Sequence, residues 1–315
     1  MGLFDMNLMT EVMREDKKAK EVPFRSGYVA IVGCPNVGKS TLLNQLLGEK
    51  VAIVTPKPQT TRNRITGIRT TARSQIIFLD TPGIHQAHSL LNRRMVETAL
   101  QTLHGVDGVV WLVDVRARIG AEEEKMAKTL GELKTPVLIL LNKIDLVSKG
   151  KLLPLIQRLS ELLPNRDIVP ISALRGEGIA VILEIVETWL PEGPRYFPPG
   201  EFTDQSERFI ASEIIREKIF LLTREEIPYG VAVTVDEFSE REDKHLVVIQ
   251  ATIRTERDSH KPILIGRKGA MLKEIGQQAR EELESLLGCR VFLELFIKVD
   301  KGWTQDPRAL AEMGL

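Results

Sequence analysis

The run Gly33-Cys34-Pro35-Asn36-Val37-Gly38-Lys39-Ser40 fits G-x-x-x-x-G-K-[ST], and its neighbours are those a phosphate-binding loop requires. Gly27-Tyr28-Val29-Ala30-Ile31-Val32 before it reads as a short apolar strand. Ser40-Thr41-Leu42-Leu43-Asn44-Gln45-Leu46-Leu47 after it reads as a helix with an apolar face. Gly33 and Gly38 let the backbone turn several N–H groups inward, and the helix N-terminus adds positive dipole. Lys39 can then neutralise charge on β- and γ-phosphates, and the Ser40 hydroxyl can reach Mg²⁺. Asn36, Val37, Gly38 and Thr41 complete the cradle. A chance match in a surface turn would not bring both flanking elements with it. The segment predicts a nucleoside-triphosphate site in an α/β fold.

A phosphate loop does not select the base. Thr135-Pro136-Val137-Leu138-Ile139-Leu140-Leu141 is a buried-strand run ending in Asn142-Lys143-Ile144-Asp145, which resembles the NKxD signature of GTPases. An Asp carboxylate at the strand's end can accept from both guanine N1–H and the exocyclic N2 amine. Adenine offers Asp145 neither donor, a mismatch worth about 10⁴-fold or more in a desolvated site. In the family pattern Asn142 ties this loop to the phosphate loop, and Lys143 lies along base and ribose. Ile171-Ser172-Ala173-Leu174, after the strand Asp167-Ile168-Val169-Pro170, resembles the SAK motif. There the backbone N–H groups of Ser172 and Ala173 are expected to meet guanine O6. Leu174 replaces the usual Lys.

Other segments serve the γ-phosphate. The strand Gln75-Ile76-Ile77-Phe78-Leu79 delivers Asp80-Thr81-Pro82-Gly83, matching DxxG. This match implies Asp80 on Mg²⁺, mostly through water, and the Gly83 N–H on the γ-phosphate. Pro58-Gln59-Thr60-Thr61-Arg62 resembles a switch loop whose Thr caps Mg²⁺. Sequence leaves Thr60 and Thr61 as alternatives, and Thr61 is the preferred ligand. The catalytic set is then Lys39, Thr61 and Gly83, with Ser40, Thr61 and Asp80 on Mg²⁺. Many signalling GTPases carry a water-orienting Gln after DxxG; here Ile84 stands in that place and can neither donate nor accept. Some GTPases with an apolar residue there use a phosphate-loop Asn to ligate K⁺, and Asn36 occupies that position. An Asn that only hydrogen-bonds locally is the competing reading. His85 and His88, nearby in sequence, are assigned no role.

The chain has 315 residues, enough for two domains. Hydrophobic content of 43% and charged content of 27% are those of a globular protein. Zero formal net charge excludes a uniformly basic nucleic-acid binder but not a local patch. Cys34 and Cys289 suggest no disulfide framework, and a disulfide at Cys34 would obstruct the phosphate loop, which implies a reducing, cytoplasmic setting. Residues 1–25 lack an apolar core of signal-peptide length and read as a tail, and no apolar run reaches the ~18 residues of a membrane span. Strands near Tyr28, Ile65, Ile77, Val110, Leu138 and Val169 alternate with helices near Leu43, Val96, Ala127, Ile156 and Ile182. That alternation predicts a mostly parallel sheet covered by helices on both faces. The last helix, Glu177 to Trp189, runs into a Pro- and Gly-rich stretch up to Gly200, a linker of limited flexibility. The expected boundaries are 26–190, a linker at 191–204, and 205–315.

After the linker, Glu207 to Leu222 has helical spacing. Gly230 to Val235 and Leu246 to Ile253 are strands joined by a charged loop. Lys261 to Gly269 contains Gly266-Arg267-Lys268-Gly269, a helix covers Ala270 to Leu287, and Val291 to Val299 closes as a strand. This order resembles the α+β, type II (prokaryotic) KH domain, in which helices meet at a GxxG loop that clamps single-stranded RNA. RNA contacts are expected from Ile265, Gly266, Arg267, Lys268 and Gly269, with Ile263, Leu264, Ile265 and Leu272 flooring the groove. From Arg254 to Lys273 there are six Lys or Arg against Glu256 and Asp258, a locally basic stretch.

An α/β P-loop GTPase domain carrying DTPG-Ile and SAL, a Pro-rich linker and one KH domain together resemble the Era GTPases, over about Ser26 to Leu315. The resemblance implies GTP and GDP as ligands with Mg²⁺, and K⁺ through Asn36. It implies slow hydrolysis of GTP and assembly of the small ribosomal subunit, with the KH groove holding the single-stranded 3′ end of its RNA. It further implies a monomer and peripheral association with the inner membrane, for which the sequence shows no anchor. Two other readings are a metabolic P-loop ATPase or kinase, opposed by Asp145, and a nucleotide-gated RNA scaffold in which Ile84 leaves negligible turnover.

Overall fold

A computed structural model describes residues 23–84, 89–241 and 245–315. The tail up to residue 22, His85 and His88 lie outside them. The amino-terminal half is built on β1 (Arg25–Gly33), β2 (Ile65–Thr70), β3 (Ser74–Asp80), β4 (Gly108–Asp114), β5 (Val137–Asn142) and β6 (Ile168–Ile171). Their order in the sheet is β2-β3-β1-β4-β5-β6. Only β2 runs antiparallel to its neighbour. The strands β3, β4 and β5 are buried along their whole length. This is why Gly108-Val109-Val110-Trp111-Leu112-Val113 shows no polar alternation: helices cover both faces.

On one face α1 (Lys39–Leu47) and α5 (Ile179–Trp189) bury Leu42, Leu43, Ile182 and Val186 against the sheet. On the other, α3 (Ala121–Gly131) and α4 (Leu152–Leu162) bury Met126, Leu130 and Leu159. Between them in sequence, α2 (Leu90–Gln101) starts at Ser89, whose hydroxyl accepts from the Asn92 N–H. Two boundaries differ from the sequence reading. The first strand begins at Arg25, inside the segment read as tail. The last helix begins at Ile179 rather than Glu177, because Ser172 and Glu177 pair through their backbones just before it.

The Pro- and Gly-rich stretch is strapped to the sheet. Buried Gln75 accepts from the N–H groups of Tyr196 (2.7 Å) and Phe197 (3.0 Å) and donates to the Phe197 carbonyl (2.9 Å). Ser26 Oγ donates to the Pro194 carbonyl at 2.6 Å, and the Ile68 N–H donates to the Phe202 carbonyl at 2.8 Å.

The carboxyl-terminal half opens with α6 (Glu207–Leu222) and contains a second sheet of β7 (Val231–Arg241), β8 (Leu246–Thr255) and β9 (Arg290–Val299), in that order. β7 and β8 are antiparallel, while β9 runs parallel to β8. β7 extends to Arg241, so most of the expected charged loop is strand, and residues 242–244 lie outside the described set. The short α7 (His260–Ile265) and the longer α8 (Ala270–Leu287) flank the G-R-K-G turn. One face of the sheet packs on α6 and α8 through Ile215, Ile219, Ile249, Ile253, Ile275 and Leu283. A small last helix, α9 (Pro307–Glu312), completes a separate cluster in which Trp303 and Leu310 meet Leu91 and Met95 of α2. The two halves are therefore in apolar contact.

Candidate functional site

A cavity of about 370 Å³ lies at the carboxyl ends of β1, β3 and β5. This is where parallel strands feeding helix N-termini collect ligands. Its walls include Asn36, Gly38, Lys39, Ser40, Thr41 and Gly83. Gly38 caps α1 in the left-handed region (φ 102°), and a Cβ there would lie 2.4 Å from Asn142 Nδ2. Only glycine fits, because Asn142 reaches over the loop and donates to the Val37 carbonyl at 2.7 Å.

Lys39 is buried. Its ammonium donates to the carbonyls of Gly33 (3.0 Å) and Cys34 (2.9 Å), and burial pulls its pKa down to about 8. Asp80 is fully buried. Burial pushes its carboxyl up to about 6, against the opposing pull of Lys39 and Ser40. Ser40 Oγ donates to Asp80 Oδ2 at 2.7 Å and lies 2.7 Å from Thr61 Oγ1. Asp80 Oδ1 is buried with no hydrogen-bond partner among the described residues. Two hydroxyls and a carboxylate with an unused oxygen form a set of hard donors, which fits Mg²⁺. Of the two threonines, Thr61 faces this cluster. Thr60 Oγ1 turns away to Thr55 Oγ1 (2.6 Å) and the Lys57 carbonyl (2.8 Å).

At the carboxyl ends of β5 and β6, Ser172 Oγ donates to Asp145 Oδ1 at 2.7 Å, fixing the carboxylate. Both backbone N–H groups expected to meet guanine O6 are engaged within the protein: that of Ser172 donates to the Glu177 carbonyl at 3.2 Å, and that of Ala173 differs from the sequence reading as well. It donates to Asn142 Oδ1 at 2.9 Å and is engaged within the protein rather than directed into the cavity. The buried Asn142 amide oxygen collects both N–H groups within its reach, that of Ala173 and that of Lys143 at 2.8 Å. Lys143 adopts a left-handed backbone (φ 72°), and its ammonium donates to the Asn36 carbonyl and pairs with Asp114 at 2.7 Å. Asp114 also holds Arg116, which accordingly stands at the cavity mouth (Nη2 to Oδ2 2.8 Å, Nε to Oδ1 3.1 Å). Burial works against ionisation of Asp114, yet the bonds from Arg116 and Lys143 hold its carboxyl down at about 2. Sequence reasoning missed Asp114 and Arg116. The available signal was the polar end of β4, which pairs in register with the end of β5 (Asp114 beside Asn142).

Ile84 packs against the cluster under α3 and α4, and its N–H donates to the Gly33 carbonyl at 3.2 Å. Its side chain therefore adds no polar group to the cavity. Cys34 Sγ donates to Glu123 Oε1 at 3.3 Å. Burial, then Glu123, raises the thiol pKa to about 12, leaving it a protonated donor. Both cysteines are free. The Asn36 side-chain amide donates to the Pro56 carbonyl at 3.1 Å.

A second concavity, of about 450 Å³, lies beside the G-R-K-G turn. It is walled by Gly269, Leu272, Lys273 and Arg280 on one side and by Leu293 and Leu295 of β9 on the other. Gly266 (φ 74°) brings the turn within 2.7 Å of the Met271 N–H, measured from where a Cβ would stand. Arg267 and Lys268 project into solvent. One expectation is corrected here. Leu264 does not floor the groove but is fully buried in the core of this half, and Ile263 is exposed. The six-residue helix α7 turns successive side chains to different sides, so the three residues cannot share a surface. Leu293 and Leu295 supply the apolar wall instead.

Residues 28–143 match the family described as 50S ribosome-binding GTPase, and residues 226–304 match the KH domain family. The chain is 55% identical over 292 residues to GTPase Era of Geobacter metallireducens, covering 93% of this chain and 98% of that one. It is 52% identical over 301 residues to GTPase Era of Syntrophus aciditrophicus, covering 96% and 98%. Among solved structures it resembles Era in complex with MgGDPNP and nucleotides 1506–1542 of 16S ribosomal RNA (TM-score 0.89, 42% identity, 92% of this chain and 99% of that chain). An Aquifex aeolicus Era variant bound to GDP·AlF4⁻ matches with the same TM-score, identity and coverage.

Proposed function

The chain belongs to the Era family of GTPases, and from that membership we propose a GTP-operated switch that grips the 3′ end of small-subunit ribosomal RNA during assembly of that subunit. It hydrolyses GTP to GDP and phosphate. The observation that carries the nucleotide half is the buried, half-unpaired Asp80 beside Ser40, Thr61 and Lys39.

In this reading Gly38, Val37, Thr41 and the neighbouring N–H groups hold the phosphates, and the Lys39 ammonium offsets their charge in a site from which water is largely excluded. Ser40, Thr61 and Asp80 hold Mg²⁺, which when bound neutralises charge developing on the β- and γ-phosphate oxygens. Gly83, on the cavity wall, supplies its backbone to the γ-phosphate. Asp145, aimed by Ser172, reads the guanine edge, and Asn142 locks that loop to the phosphate loop. Ile84 offers no water-orienting group, so turnover without a partner is slow. Asn36 is the candidate K⁺ ligand, and exchanging K⁺ for Na⁺ at fixed ionic strength tests it. With β1 beginning at Arg25, the GTPase domain takes the limits 25–190, followed by the linker at 191–204 and the KH domain at 205–315.

The RNA half rests on the exposed Arg267 and Lys268 at the mouth of a groove with one apolar wall. Attachment to a membrane would come from a surface, since no helix among the described residues is long and apolar enough to cross one. Replacing Asp145→Asn tests the nucleotide reading. Preference should move from guanine to xanthine nucleotides, whose 2-oxo group needs a donor, and retained preference for GTP would refute it. Arg267→Asp with Lys268→Asp should abolish binding of a short single-stranded RNA and leave GTP affinity intact.

A further inference from the structure

Strand β9 presents two different faces. Val291, Leu293, Leu295 and Ile297 pack into the core of the carboxyl-terminal half. Alternation then puts Arg290, Phe292, Glu294, Phe296 and Lys298 together on the opposite face. Phe292 and Phe296 are 51% and 53% exposed. They are the two exposed aromatic rings on the sheets of the described residues, and neither supports the core. Among the described residues β9 is an edge strand, hydrogen-bonded only to β8. Its free edge borders the groove, since Leu293 and Leu295 form the groove's apolar wall.

We propose that Phe292 and Phe296 are a stacking platform for single-stranded RNA that crosses the β9 edge on leaving the G-R-K-G groove. The proposal rests on the RNA-binding reading above. A KH groove clamps about four nucleotides, so a longer strand must leave it, and the free edge of β9 leads from the groove to the opposite face of the sheet. The rings stand four residues apart, about 13 Å along the strand, which separates two stacked bases. Charge favours a polyanion at both ends of the stripe, where Arg290 and Lys298 are exposed. The acids between these ends are hydrogen-bonded: Glu294, half-buried, accepts from Gln250 Nε2 at 3.0 Å, and on β7, two strands from β9, Asp236 accepts from Thr252 at 2.6 Å and Glu237 from Ser239 at 3.0 Å. Aromatic stacking is tolerant of sequence, so the platform adds affinity and leaves base selection to the groove.

The test uses the full chain and two fluorescent single-stranded RNAs, one of groove length (about five nucleotides) and one of about twelve, with binding read by anisotropy across a salt series. Phe292→Thr with Phe296→Thr keeps β-forming side chains on the strand. It should weaken the longer RNA by about tenfold or more, leave the shorter within about twofold, and leave the salt slope unchanged, because stacking releases no counterions. Phe292→Tyr with Phe296→Trp should restore the longer RNA. Arg267→Asp with Lys268→Asp should abolish binding of both. If it does not, the groove reading fails independently of the platform. Unchanged affinity for the longer RNA in the Thr variant overturns the platform. So does an equal loss for both RNAs, or altered self-association with RNA affinity intact.

Discussion

Arg62 is the side chain whose removal should do most damage outside the nucleotide cavity. It follows Thr61 directly, so its backbone belongs to the switch-like loop, yet its guanidinium lies in the other half of the protein. Nη1 donates to the Val231 carbonyl (2.7 Å), and Nη2 donates to those of Tyr229 (2.9 Å) and Pro228 (3.2 Å). The group is buried between the rings of Phe220 and Trp303, at 5.9 and 5.7 Å from their centroids. Burial, then Arg216, lowers its pKa, but the three carbonyl acceptors favour the charged form. Each charge-assisted bond contributes about 1.5–3 kcal/mol net, and the ring contacts about 1–2 kcal/mol together. Against this stands a desolvation cost of several kcal/mol for the cation itself. Arg62→Met removes the cation and its desolvation cost together but leaves three inward-facing carbonyls unpaired. The expected net loss is about 3–5 kcal/mol. With a urea m-value of about 3 kcal/mol/M, the midpoint should fall by about 1 M or more, with the carboxyl-terminal half melting first. Arg62→Lys should not rescue, because a point charge cannot serve three carbonyls in a plane. Urea unfolding followed by circular dichroism and tryptophan fluorescence measures both effects. A loss below about 1 kcal/mol with a single coincident transition would refute the reasoning.

Asp114→Asn should speed release of GDP about tenfold by freeing Lys143, and the effect should largely disappear in a Lys143→Ala background; stopped-flow release from a fluorescent GDP measures the cycle. Gly38→Ala should abolish nucleotide binding, since the new Cβ would meet Asn142 Nδ2 in a left-handed backbone; titration calorimetry with GDP checks it. Glu282 lies between Lys218 and Lys50 at the junction of the halves, and although burial opposes ionisation, their bonds hold its carboxyl below the ordinary 4.5. A depressed folded-state pKa contributes stability that is present above 4.5 and is lost as pH falls through the folded value. Glu282→Gln should therefore flatten the acid limb of stability below about pH 4.5 in pH-dependent thermal melts.

Motifs whose chemistry needs neighbours in sequence were readable without coordinates. The phosphate loop is one, because its N–H groups and Lys39 come from a single turn between a strand and a helix. The placement of Asp80, Asn142 and Asp145 is another, because parallel strands deliver their carboxyl ends to the same edge. The order of elements around Gly266 to Gly269 was legible for the same local reason. Tertiary structure decided what depends on partners far along the chain. Thr61 rather than Thr60 faces Ser40 because Thr60 is claimed by Thr55 and Lys57, contacts that no spacing rule exposes. The Ala173 N–H is taken by Asn142, and Leu264 is drawn into the core while Leu293 and Leu295 wall the groove. Arg62 reads in sequence as one more loop cation; only folding brings it to three carbonyls more than 160 residues away. Periodicity and motif record what a residue's immediate neighbours require. Which donor meets which acceptor is determined by desolvation, because a buried polar group must take the partner within reach, and that partner is chosen by the packing of the whole chain.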